Sequence, residues 1–286
     1  MKNELIILLA IALFLVSGCY FGIGQNQSDD DETLDRLKEL SDFNNWPGKN
    51  GIIRAGVILN ADRLPCLQGS TEVVKLKLPD VHETDGKLRV VYRYNWQFSS
   101  NDLLDASIVI TESCEDAHQY LMERRFYSSL PFELRVPKRD EVPLIGDISF
   151  FEGWEFIFNN IVGRLIFEGK FVEKKNDFLM QLKSLFNSSP TAKTCDAFKP
   201  IITKFTIASN PVKRGSLTKL FIEVKDPNKS EIVFVWRMTA GAVEQDKISN
   251  CYYHADPDNG GTQVLILYAV NQLGFAAKAE IEIIVE

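Results

Sequence analysis

Five cysteines and three histidines are the side chains of this 286-residue chain with the most distinctive chemistry. Cys66, Cys114, Cys195 and Cys251 are even in number, so an oxidising compartment permits two disulfides, with three possible connectivities. Chain order makes Cys66–Cys114 and Cys195–Cys251 the candidate pairs, and four buried thiols are the alternative. No two cysteines have the Cys-x-x-Cys spacing of a redox or zinc site. His82, His118 and His254 stand in separate contexts without ligand spacing, so no metal site and no catalytic residue is expected from them. Gly-x-Ser-x-Gly, His-Glu-x-x-His and glycine-rich phosphate cradles are absent, and no cofactor is expected. Paired catalytic carboxylates need no local motif, which leaves a hydrolase of unrecognised type open.

Two clusters near the C-terminus could bind a ligand. Asp256-Pro257-Asp258-Asn259-Gly260 brings oxygen donors together as a hard cation requires, but its spacing misses the EF-hand order and its distant Glu. The same residue types favour a polar turn, which is the preferred reading. Tyr252 and Tyr253, beside His254, could stack on pyranose rings; neighbours on a strand point to opposite faces, so only one tyrosine can face outward.

The fifth cysteine, Cys19, ends a different kind of segment. Met1-Lys2 opens a short n-region, and an apolar run extends from Leu5 to Val16, the length of a signal-peptide core. It closes on Val16-Ser17-Gly18-Cys19, which resembles the lipobox of bacterial lipoproteins. That resemblance implies diacylglycerol on the Cys19 thiol, fatty acylation such as palmitate, and cleavage leaving Cys19 as the new N-terminus. Tyr20 in place of Asp resembles outer-membrane sorting. The competing reading is an uncleaved anchor, because Leu5 to Gly24 comes to about 20 residues, enough to span a bilayer. Both readings put the rest of the chain outside the cytoplasm.

The elements that must position these residues fall into two parts. Residues 1–18 form the expected signal peptide, and residues 19–50 the lipidated Cys and a flexible polar tether with Leu34, Leu37 and Leu40 at helical spacing. Residues 51–190 read as an α+β domain: strands at Val73–Leu78, Leu88–Trp96 and Ala106–Thr111, a helix capped by Ser113, strands around Ile148, Glu155 and Val162–Phe167, and a helix from Asp177. Its helices are expected on one face of an antiparallel sheet, with Trp96, Trp154, Phe150 and Phe151 in the core. Gly146-Asp147-Ile148 and Arg164-Leu165-Ile166-Phe167 resemble a pattern in extracytoplasmic proteins of unassigned role, which implies no chemistry.

Residues 191–199 read as a linker, and residues 200–286 as an all-β sandwich. Leu220, Ile222 and Val224 alternate with polar neighbours, as do Ile281, Ile283 and Val285. Asn210-Pro211-Val212 with Gly215, the Asp226-Pro227 turn, Trp236, and the Asn271-Gln272-Leu273-Gly274 turn resemble a bacterial immunoglobulin-like or PKD-like module. The resemblance implies a core role for Trp236 and use as a spacer, adhesion unit or glycan contact. Arg237-Met238-Thr239 stands where PKD domains carry their WDFGDG motif.

A formal charge of −7 offers no basic face for phosphates, which argues against nucleic acid as a partner. The expected role is a non-enzymatic, membrane-anchored binding or envelope-assembly protein. Its expected partners are the membrane, through the lipid, and an envelope protein or polysaccharide. A carbohydrate-binding accessory protein using Tyr252 or Tyr253 is the alternative.

Overall fold

A computed structural model describes residues 35–72, 79–127, 136–137, 141–150, 154–247 and 250–286. The signal peptide, Cys19, most of the tether, the expected strand Val73–Leu78 and Phe151 lie outside the described residues. No helix among the described residues is long and apolar enough to cross a membrane.

Residues 35–41 form helix α1, with Leu37 and Leu40 buried, as their spacing predicts. A two-residue strand, β1 (Ile53–Arg54), follows. The first large sheet contains β2 (Thr71–Glu72), β3 (Asp80–Thr84), β4 (Lys87–Ser99), β5 (Asp102–Ile110), β6 (Ile148–Phe150), β7 (Glu155–Phe158) and β8 (Ile161–Phe167). All its pairings are antiparallel, in the order β2-β4-β5-β8-β7-β6, with β3 also on β4. Asp85 and Gly86 connect β3 to β4 with φ of 50° and 73°, the left-handed pair that a two-residue hairpin turn requires.

Both faces of this sheet are covered, which corrects the expectation of helices on one face. Helix α2 (Cys114–Tyr127) lies on one side, where Ala117, Leu121 and Met122 join Trp46, Val91, Val109, Ile157 and Val162. On the other side, after a short helix α3 (Lys170–Glu173), comes α4 (Lys175–Ser188). Its Phe178, Leu179, Leu182 and Phe186 pack on Tyr94, Trp96, Leu104, Ala106, Ile108 and Leu165. The physical reason lies in the strands: Ile108-Val109-Ile110 and Ile161-Val162 are apolar on both faces, so both need a partner.

The N-terminus of α2 forms as its sequence requires. Ser113 Oγ accepts from the Asp116 backbone N–H at 3.0 Å, a standard N-cap. The Asp116 carboxylate then takes the Arg89 guanidinium at 2.8 Å, with the two side chains 0% and 5% exposed. Glu123 lies 3.7 Å from the same Arg89, and the Tyr120 ring centroid is 5.0 Å from its guanidinium carbon.

The second half of the chain has two smaller antiparallel sheets. After β9 (Thr191–Ala192) come β10 (Ile201–Ile207), β11 (Leu217–Lys225), β12 (Ile232–Met238), β13 (Ala242–Lys247), β14 (Asn250–His254), β15 (Gly261–Asn271) and β16 (Ala276–Val285). One sheet runs β10-β11-β14-β13 and the other β12-β15-β16. They enclose a core of Phe205, Leu220, Phe234, Cys251, Tyr253, Leu265, Leu267 and Ile283, with Trp236 half-buried against it. Val212 adds a parallel bridge to Val285.

Residues 191–199 are not a free spacer. β9 pairs with β1, and Phe198 is buried with its ring 5.3 Å from Phe275 in the turn between β15 and β16. That turn docks on the first sheet: a Cβ at Gly274, where φ is 81°, would fall 2.0 Å from Ile110 Cδ1. The outer face of β12-β15-β16 meets the first sheet directly, with Val235, Tyr268, Val270 and Ala276 against Val81, Leu88 and Val90.

The buried ion pair yields a stability prediction. Asp116→Ala leaves Arg89 buried without its carboxylate and is expected to cost about 3–5 kcal/mol, whereas replacing both residues by apolar ones of similar volume restores most of the loss. Denaturant unfolding of the single and double variants measures the difference.

Candidate functional site

The four described cysteines are not bridged, so neither expected disulfide is formed. Cys251 sits in the sandwich core, whereas Cys195 packs against the core of the first sheet. Cys66 lies by α4, its backbone N–H donating to Gln181 Oε1 at 3.1 Å. Cys114 opens α2, with its sulfur 4.0 Å from the Ile52 carbonyl oxygen. Each expected pair is thus divided between different surroundings. Burial is the main cause that pushes the Cys66 and Cys114 thiols up to about 11, which keeps the nucleophilic thiolate scarce at neutral pH.

The histidines do not converge. His82 is exposed and lies 3.0 Å from the Asp80 carboxylate. His118 is buried, its Nε2 2.7 Å from the Leu40 carbonyl oxygen and its ring 4.6 Å from Trp46; burial lowers its pKa. His254 is exposed on β14. No three His, Cys, Asp or Glu side chains are placed to hold a metal among the described residues.

In the Asp256–Gly260 loop the Asp256 carboxylate accepts from the Asp258 and Asn259 backbone N–H groups at 2.8 and 3.2 Å, and from Asn259 Nδ2 at 2.9 Å. The Asn259 amide first, then these backbone donors, hold its pKa low. This is the geometry of a self-closing polar turn.

A polar network not anticipated from sequence fastens β1 to the β7–β8 hairpin. Asp147 Oδ2 accepts from the Asn159 backbone at 2.6 Å, and Asn159 Oδ1 accepts from Arg54 Nε at 2.9 Å. Asn160, fully buried, accepts from the Arg54 backbone at 2.7 Å and donates to the Thr111 carbonyl at 2.9 Å. Burial raises the Asp147 pKa, opposed by the Asn159 N–H and by Arg54. The partners are mutually satisfied, and the network acts as a fastening.

The surface best arranged for binding is the outer face of β10-β11-β14-β13. Tyr253 cannot contribute, because it is 0% exposed and its hydroxyl donates to the Ala240 carbonyl at 3.1 Å. Tyr252 points the other way, opposite Lys219 on β11 and Glu244 on β13. On the same face His254 pairs with Leu217, which is 55% exposed, and two residues beyond Lys219 lies Phe221, 40% exposed. The Phe221 ring carries Lys204 Nζ at 5.4 Å and Lys219 Nζ at 5.8 Å from its centroid. Strand phase could have revealed Phe221, since it alternates with the inward Leu220 and Ile222. The tyrosine pair gave the sheet face without its main aromatic residue.

Of the aromatics expected in the first core, Trp96 and Phe150 are buried, but Trp154 is 39% exposed where the chain enters β7. No protein-family model matches the chain, and no curated protein and no solved structure matches it.

The thiols give a direct check. Alkylation of the native protein at Cys66 and Cys114 is expected to be slow at pH 8 and to rise roughly tenfold per pH unit towards about pH 11, while the denatured protein reacts fully without reductant. Stability is expected to fall between about pH 9 and 11, where the unfolded thiols ionise and the folded ones do not. Thiols recovered only after reduction would overturn the unbridged assignment.

Proposed function

We propose that the protein is an extracytoplasmic bacterial lipoprotein with a non-enzymatic binding or envelope-assembly role. The observation that carries this reading is Val16-Ser17-Gly18-Cys19 at the end of the apolar run Leu5–Val16. Processing there leaves lipid on Cys19, residues 20–50 as a tether, and the folded body on the outer-membrane or cell-surface side. In this reading the first sheet and its helices are an α+β domain, and β10–β16 are an immunoglobulin-like module. Strand order supports the latter: β10-β11-β14-β13 and β12-β15-β16 correspond to the A-B-E-D and C-F-G sheets of constant-type immunoglobulin domains.

The carbohydrate-binding alternative is favoured by one specific feature, the exposed Phe221 and Leu217 with half-buried Tyr252 on the same face and lysines around Phe221. Flat aromatic faces stack on apolar sugar faces, and flanking polar groups accept or donate hydrogen bonds to hydroxyls. A single strip on a rigid sheet requires little rearrangement on binding, which suits a receptor for a repeating polymer.

Crosslinked capture from the native envelope tests both readings together. The wild type is expected to fractionate with membrane, with an acylated N-terminal Cys19, and Cys19→Ala is expected to lose both acylation and membrane retention. Phe221→Ala with Tyr252→Ala is expected to fold normally and to lose at least tenfold of its captured polysaccharide or protein. Membrane retention of Cys19→Ala at unchanged mass would replace lipidation by an uncleaved helix.

A further inference from the structure

The outer face of β10-β11-β14-β13 is divided by charge, and the division is symmetric about its middle. Alternation along β11 leaves Leu217, Lys219, Phe221, Glu223 and Lys225 exposed, while Thr218 and Leu220 turn inward. Pairing across the sheet sorts the outward residues into rows. Leu217, His254 and Ala242 form one row, and Lys219, Tyr252 and Glu244 form the next. The same phase brings Phe221 and Asn250 outward, and Asn250 Nδ2 donates to the Asp246 carboxylate at 3.1 Å.

The cations of this face therefore stand on β10 and β11, and β13 carries the carboxylates Glu244 and Asp246. Lys204 Nζ and Lys219 Nζ both lie near the Phe221 ring, at 5.4 and 5.8 Å from its centroid. Glu223 is the exception on the basic side, and Lys204 answers it at 3.6 Å. Lys219 and Glu244 are exposed, and neither makes an ion pair among the described residues. They stand two strands apart, about 10 Å, with Tyr252 between them.

A two-fold axis along β14, in the plane of contact, exchanges the two sides of the face. It sets Tyr252 against Tyr252 of a second copy, and Lys219 against Glu244 of that copy, twice over. In the neighbouring row it sets Leu217 against Ala242. The lysines around Phe221 then look onto Asp246. Each apolar residue meets an apolar one and each unpaired charge meets its opposite, which is the self-complementarity that a symmetric dimer requires.

We propose that two copies of this chain pair through the face, stacked about a two-fold axis along β14. The carbohydrate alternative rests on the same face, and here that face takes a protein. A neutral glycan leaves the Lys219 and Glu244 charges unanswered, whereas a second copy answers both. Two sheets stack face to face about 10 Å apart, a gap that Tyr252, Phe221 and Leu217 side chains fill. Four strands about 4.8 Å apart and about 24 Å long present roughly 450 Å² per copy, at the low end for specific interfaces. The dimer is accordingly weak, with a dissociation constant in the micromolar range.

Sedimentation equilibrium of the full-length protein in density-matched detergent, with micelles in excess, tests the pairing. A monomer–dimer equilibrium is expected for the wild type. Lys219→Glu and Glu244→Lys each place like charges together twice and are expected to weaken the dimer at least tenfold. Combining the two substitutions is expected to restore it, and the exposure of both side chains leaves the unfolding midpoint unchanged. A wild type that stays monomeric at about 100 μM, whether or not it binds a neutral glycan such as cellohexaose, would overturn the proposal. So would single reversals without effect, or a double reversal that stays dissociated. Cys19→Ala is expected to pair as the wild type does, so a failure of the lipid anchor and a failure of this interface give different results.

Discussion

The first half of β4 has an apolar face that none of the described helices covers, and the rest of the architecture follows from how that face is buried. Leu88 and Val90, with Val81 beside them, meet Val235, Tyr268, Val270 and Ala276 of the three-stranded sheet. That sheet is therefore apolar on both sides, with one face towards its sandwich partner and the other towards the first sheet. Arg237–Asp80 at 2.6 Å and Lys278–Glu83 at 3.0 Å close the rim. Exposed pairs of this kind contribute at most about 1 kcal/mol each, so the apolar contact dominates the joint.

The turn after β15 completes the joint. Asn271 is 1% exposed; its amide donates to the Phe198 carbonyl at 2.6 Å and to Asp226 at 3.0 Å, and its Oδ1 accepts from the Phe275 backbone at 3.0 Å. One side chain thus links the connector, the β11–β12 turn and the β15–β16 turn. Because the joint consumes the outer face of β12-β15-β16, the opposite sheet is left as the open face of the sandwich. On the first sheet, α4 and the sandwich take one side and α2 takes part of the other. The candidate binding face of the sandwich is the surface that this packing leaves over.

Much of the fold is legible in local pattern. Asp85-Gly86 gives its hairpin, Ser113 caps α2, and the alternation in β11 and β16 marks which residues face the sandwich core. Strands β13 and β14 have no local signature, because Glu244-Gln245-Asp246 is polar throughout and acquires strand structure by pairing with Asn250–His254. The layer arrangement is not legible locally, because a run such as Ile108-Val109-Ile110 demands two partners and local sequence does not identify them. The disulfide expectation failed for a related reason: an even number of cysteines carries no information about which core each one enters.

The candidate sites show the same division. Tyr252 and Tyr253 were distinguishable only as a pair with one outward member, and the strand's phase assigned the role to Tyr252.

The apolar joint between β4 and the three-stranded sheet makes the two halves one cooperative body. Scanning calorimetry of the full-length protein tests this most directly. A single transition is predicted, with calorimetric and van't Hoff enthalpies equal. Two resolved transitions, or a calorimetric enthalpy well above the van't Hoff value, would show two independently folding units and contradict the account.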